Sequence, residues 1–182
     1  MILSTIFRKK KLTTDKVANV FVNSLTSSID NSFEDITNSI INSPEFIKKP
    51  NIDHNNSDKF LMIILAGNMS YLKRYFTATE EKEIKGKIIE KFAGVFGLDY
   101  KEMKSIIDDF SAFICRVNYP SKNTIYGMSK ALFFKYNLGE SQEEYFAKLN
   151  TPNPLLLKQL DKIVENYIWD WTTFFNTYKI TH

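Results

Sequence analysis

The sequence predicts an all-α protein, a compact single-domain bundle of seven to eight helices. Three observations predict it. Apolar residues recur at spacings of three and four along most of the chain, capping residues and glycine stops punctuate those runs at helical lengths, and no stretch alternates apolar and polar residues long enough to read as a strand. At 182 residues a chain buries about 70% of the surface it exposes when unfolded, so one core suffices without staples.

Residues 1–12 read as a flexible basic and apolar leader, and 13–182 as the single helical domain. From Thr13 the residues Val17, Phe21, Leu25, Ile29, Phe33, Ile36 and Ile40 keep helical spacing, as one long helix or as two broken near Asp30-Asn31. Ser43-Pro44 predicts a stop followed by a short helical turn through Phe46. The polar stretch from Lys49 to Ser57, with Pro50 and His54, predicts a surface loop. A further helix should run from Ser57 or Asp58 to about Phe76, apolar on several sides and therefore central. Thr79 stands as the cap of the next, with acids at its start, the stripe Ile84, Ile88, Phe92, Val95 and Phe96, and Gly97 as its stop.

Asp99 and Glu102 make a box-like cap for a helix through Met103, Ile106, Phe110, Phe113 and Val117, ending at Pro120. The following helix is expected over about Ser121 to Leu138, stopped by Gly139. Ser141 and Glu144 read as a capping box for a short one. Asn153-Pro154 then opens a long last helix whose stripe is Leu156, Leu160, Ile163, Val164, Tyr167, Trp171, Phe174, Phe175 and Tyr178.

Composition narrows the function classes. The chain has 24 basic and 21 acidic residues, evenly spread, and a hydrophobic fraction of 43%, the profile of a soluble globular protein. Only Arg8, Arg74 and Arg116 are arginines, which fits the coding bias of an AT-rich genome and leaves few guanidinium forks for reading bases. Fifteen Phe, nine Tyr and two Trp supply large buried areas for a core, or for a core and a partner-binding face. Cys115 is the single cysteine, so no internal disulfide forms; flanked by Ile114 on an apolar helix, it reads as buried and inert. The cytoplasm is the expected compartment. No apolar run reaches the length of a membrane span, although residues 2–11, apolar and then basic, suit weak contact with a membrane surface.

The usual catalytic tools are missing. His54 lies in a loop and His182 at the last position, so neither a histidine pair for a metal nor a well-placed triad base is present. The six glycines are scattered, without a phosphate-cradling loop. The adjacent acids Glu34-Asp35, Asp108-Asp109 and Glu143-Glu144 point about 100° apart on a helix and read as solvated faces. The chain is therefore expected to be non-catalytic and to need no cofactor or metal.

One stretch raises a functional question. Between Asp109 and Glu140 lie thirty residues without a carboxylate, carrying Arg116, Lys122, Lys130 and Lys135 among seven aromatic rings. On a helix from Ser121, the residues Ile125, Met128, Ser129, Leu132, Phe133 and Tyr136 share one face, while Lys122, Tyr126, Lys130, Phe134 and Asn137 share another. If the first packs on the core, the second offers rings and cations to an acidic or phosphorylated partner. Arg116, Tyr119, Lys122, Tyr126, Lys130 and Phe134 are thus the candidate contacts, with Trp169, which falls off the last helix's core stripe, as a further anchor.

The first expectation is a module that binds another protein. The second is a binder of a small anionic ligand, or an enzyme, in an aromatic cleft where Arg116, Lys122 and Lys130 hold the anion. The hexapeptide Ser121-Lys122-Asn123-Thr124-Ile125-Tyr126 resembles the start of the recognition helix in TetR-type transcription regulators. The resemblance implies DNA contacts from Ser121, Lys122, Thr124 and Tyr126. It departs from that pattern in placing Tyr119-Pro120 where the family keeps a glycine turn, and Asp108 and Asp109 close by would repel phosphate, so nucleic acid ranks third.

Overall fold

The computed structural model describes residues 9–181. The expected membrane contact of residues 2–11 falls mostly on residues 1–8, which lie outside the described residues, as does His182. The protein is a mostly α-helical bundle. Its elements run β1 (Lys10–Thr13), α1 (Thr14–Ile41), α2 (Asp58–Tyr71), α3 (Ala78–Phe96), α4 (Tyr100–Asn118), α5 (Thr124–Lys135), α6 (Glu144–Lys148), α7 (Pro154–Glu165), α8 (Trp171–Thr177) and β2 (Tyr178–Thr181).

The central helix is α2, in which every residue from Phe60 to Met69 is buried, as its all-round greasiness predicts. Around it stand α1, α4 and α5: Phe33 of α1 meets Phe60 with ring centroids 5.9 Å apart, and α4 and α5 pack directly on it. Close approach to α5 needs Gly67, where a Cβ would lie 2.1 Å from the Met128 sulfur. The fourth wall is α3, packed on α1 and α4, while α7 closes the far side of α5. Lys91 ties α3 to Asp15 of α1 at 2.8 Å, and Gln159 of α7 donates to the Ser39 carbonyl of α1 at 3.0 Å.

Local signals set several boundaries. Thr13 caps α1, which runs without the break expected near Asp30-Asn31, because Ile29 and Phe33 continue one buried stripe across that point. Asp99 and Glu102 exchange bonds of 2.9 Å each in a true capping box. A second box uses Thr77 and Glu80 rather than the expected Thr79, and Gly97 ends α3 with φ +65, as a left-handed stop should. Along α4 the fully buried positions are Met103, Ile107 and Ile114, with Ile106, Phe110, Phe113 and Val117 only half-buried, so its core stripe is rotated from the expected one.

Other expectations need correction. Pro44 to Phe46 form a turn instead of a helical one, and Phe46 bridges Gln142. Ser141 does not cap α6: it is buried, and its carbonyl accepts the N–H groups of Ile47 at 2.9 Å and Lys48 at 3.4 Å. The helix expected from Ser121 to Leu138 is shorter at both ends. Asn123 caps it, and Asn137 stops it with φ 53, a left-handed conformation that asparagine tolerates better than most residues; Gly139 lies beyond, in a 3-10 turn over Leu138–Ser141. Cys115 is exposed, not buried.

Two corrections concern the chain's ends. Lys10–Thr13 and Tyr178–Thr181 pair as a parallel two-stranded sheet, Lys10 opposite Tyr178 and Thr13 opposite Thr181, so Lys10 to Leu12, expected in the leader, are strand. The long last helix is divided into α7 and α8. Between them the buried side chain of Asn68 in α2 donates to the Tyr167 carbonyl at 2.8 Å and accepts the Trp169 backbone N–H at 2.8 Å. Asp170 then caps α8 through the Thr173 N–H at 2.9 Å.

Tyr136, just after α5, lines a cleft with Asn51 and Ile52 of the loop that precedes α2. Burial pushes its phenol up from the ordinary value near 10. A raised folded-state pKa means that the neutral form contributes its stability fully below the unfolded value of about 10 and loses it as pH rises above. Urea unfolding of the wild type should therefore weaken above about pH 10 more steeply than that of Tyr136→Phe. Equal slopes would show that the phenol is solvated in the fold.

A candidate partner-binding face on α4 and α5

The acid-free stretch folds into the second half of α4, a loop at 119–123 and α5. One side of α5 faces the core, where Met128, Ser129, Leu132 and Phe133 are all buried. The other side leaves Tyr126, Lys130 and Phe134 half-buried. Gly127 lets α4 approach, since a Cβ there would meet the Asn118 side chain at 2.9 Å.

Across the outer surface, cations and rings alternate. Lys135 lies 4.8 Å from the Phe110 ring centroid and 4.7 Å from that of Phe113. Arg116 lies 5.2 Å from the same Phe113 ring, and Lys130 sits 4.6 Å from the Tyr126 ring. Each such contact contributes roughly 0.5–1 kcal/mol at an exposed site, enough to bias where these flexible side chains stand. Among the described residues none of Arg116, Lys122, Lys130 and Lys135 forms an ion pair. Their charge is therefore free for a partner, whereas Lys85, Lys87, Lys91, Lys104 and Lys148 are already paired.

The other expected contacts are placed differently. Tyr119 projects from the end of α4, 83% exposed, just before a cis Tyr119–Pro120 peptide bond. Lys122 is exposed in the same loop. Phe134 touches Phe133 edge-on at 5.1 Å and lines a small cleft of about 200 Å³ with Gly139 and Ala147. Trp169 does not join this surface. It packs edge-on against Phe21 at 5.5 Å and beside Trp171 and Phe174, with its indole N–H enclosed and unpartnered among the described residues.

Lys135, Phe110 and Phe113 were not among the expected contacts, although the stretch contains all three. Their signal lay in the pairing of α4 with α5, which spacing within one helix does not reveal. His54 donates to or accepts from Thr37 at 2.6 Å, tying the loop before α2 to α1. Among the described residues no three His, Cys, Asp or Glu side chains come together as metal ligands, and no helix is long and apolar enough to cross a membrane. No family model, curated protein or solved structure matches this chain, so the α4–α5 face stands on its own geometry.

Proposed function

We propose that this protein is a non-catalytic helical module that binds an acidic surface of another protein through the α4–α5 face. The observation that carries the proposal is the set of unpaired cations, three of them seated on half-buried rings. Rings and arginine are the side chains that interfaces favour, and free cations steer an acidic partner into register. The surface is spread over two helices and a loop, which suits a protein better than a small anion held by Arg116, Lys122 and Lys130 together. Recognition of DNA by α5 would need an exposed helix, and α5 packs against α2, α4 and α7. A chain with a single cysteine asks nothing of an oxidising compartment, and the cytoplasm is the compartment proposed.

The test compares the wild type with Arg116→Glu/Lys130→Glu/Lys135→Glu in affinity capture from native lysate, after circular dichroism shows equal helicity. A protein held by the wild type should be recovered at least tenfold less with the reversed charges, and less in 300 mM than in 50 mM salt. Recovery unaffected by both changes, or of a bound small molecule alone, would overturn the proposal.

A further inference from the structure

Two clefts open side by side between α2, α3, α4 and the start of α5, on a different set of residues from the cationic face. One encloses about 400 Å³ and the other about 380 Å³. Both are lined by Met69, Lys85, Asp108 and Ser111, so they run together as one elongated groove. Either alone falls in the range of roughly 300–1,000 Å³ found for small-ligand sites.

The groove is apolar below and cationic above. Ala66, Met69, Ile89, Ile107 and Ile114 line it and are themselves buried, so an occupant would rest on the core itself. Four lysines and two carboxylates edge it. Both carboxylates are engaged: Glu81 by Lys85 at 2.5 Å and Asp108 by Lys104. Lys73 and Lys82 have no ion-pair partner among the described residues, which leaves the groove with a surplus of positive charge. At the Lys73 end stand Ser70, Thr124 and Asn118, and the Asn118 Oδ1 is shielded from solvent without a hydrogen-bond partner among the described residues.

We propose that this groove binds a single-chain amphipathic anion, its acyl tail lying over Met69, Ile89, Ile107 and Ile114 and its carboxylate or phosphate head held by Lys73 at the Thr124 end. Charge complementarity selects an anion, and the buried floor selects an apolar chain. The volumes, about 400 and 380 Å³, lie in the range of small-ligand sites, the scale of one alkyl chain. The proposal stands independently of the α4–α5 face.

Cys115, the only cysteine, is exposed and lines the Lys73 end, so its alkylation by iodoacetamide reports occupancy from inside the groove. The full chain is titrated with laurate, dodecyl phosphate, dodecanol and acetate, each below its aggregation concentration, by calorimetry and by alkylation rate. At least one of the two anionic amphiphiles should bind one to one and slow alkylation at least fivefold, and the tighter of the two identifies the head group. Dodecanol should bind at least tenfold more weakly, and acetate not at all. Lys73→Glu should weaken the anion at least tenfold. Gly86→Trp should block the groove, since Gly86 lines it and a Cβ there meets nothing nearer than the Tyr100 hydroxyl at 3.8 Å; Ser111→Trp serves as the plug if that variant does not fold. Arg116→Glu/Lys130→Glu should bind the amphiphile like the wild type, which separates this site from the α4–α5 face. Failure of both anions to protect Cys115, equal protection by dodecanol, or undiminished binding in Lys73→Glu or in the folded plugged variant would overturn the assignment.

Discussion

Trp171→Ala is expected to lower the unfolding free energy by about 4–5 kcal/mol, from the usual cost of truncating a buried Trp together with the loss of its ring pairs. The side chain is fully buried and occupies the centre of an aromatic cluster: Phe76 meets it edge-on at 5.0 Å, Phe21 stacks at 5.8 Å, and Phe174 and Phe175 lie at 5.6 and 6.0 Å. These partners come from α1, from the segment before α3 and from α8, so the cavity would loosen three parts of the fold together. On a domain stability of about 5–15 kcal/mol such a loss shifts the urea midpoint far. Trp171→Phe should cost less than about 1.5 kcal/mol, the range for shape-tolerant apolar exchanges, because it retains a ring and removes an indole N–H that has no hydrogen-bond partner among the described residues. Equal midpoints for the Ala variant and the wild type would mean that the cluster does not hold the fold.

Asn68→Leu should cost about 3 kcal/mol, since one change strips a partner from two backbone groups and each buried orphan costs roughly 1–3 kcal/mol. The amide is 1% exposed and its bonding capacity is well used, its two donors going to the carbonyls of Ile64 at 2.9 Å and Tyr167 at 2.8 Å and its oxygen to the Trp169 N–H. Leucine matches the volume and supplies none of this. Asn68→Asp matches the shape but sets a carboxyl oxygen against the Tyr167 carbonyl, and should fail to restore stability at pH 7. Hydrogen exchange gives the local readout: the Trp169 amide should exchange much faster in both variants. Unchanged protection there would show that the break between α7 and α8 is held by something else.

These two residues also mark where the sequence is legible and where it is not. The helices themselves were readable because their signals are local. Thr13, Asp99 and Asn153 cap the residues that follow them, and the buried stripe of α1 follows from a period of 3.6 alone. The same logic found the centrality of α2, and it found that one side of α5 is buried while the other keeps rings beside lysines. The apolar spacing, however, runs through the break between α7 and α8, and the Asp170 cap is the one local mark of it. The break exists because Asn68, far away in the chain, offers Tyr167 and Trp169 the bonds that a helix would have supplied.

Spacing, capping and composition therefore suffice to establish an aromatic-rich, all-α protein and the approximate extent of its elements, since each of those signals acts within a turn or two of helix. The packing of distant segments determined the rest. Lys10–Thr13 and Tyr178–Thr181 are four residues each, too short to show a period, and become strands only by meeting across the whole length of the chain. The ladder of Lys135, Phe110, Phe113 and Arg116 needs α4 beside α5, and the groove over Met69 needs α2, α3 and α4 together. Surface charge and cavity are properties of such pairings, which depend on contacts between residues that no local pattern relates.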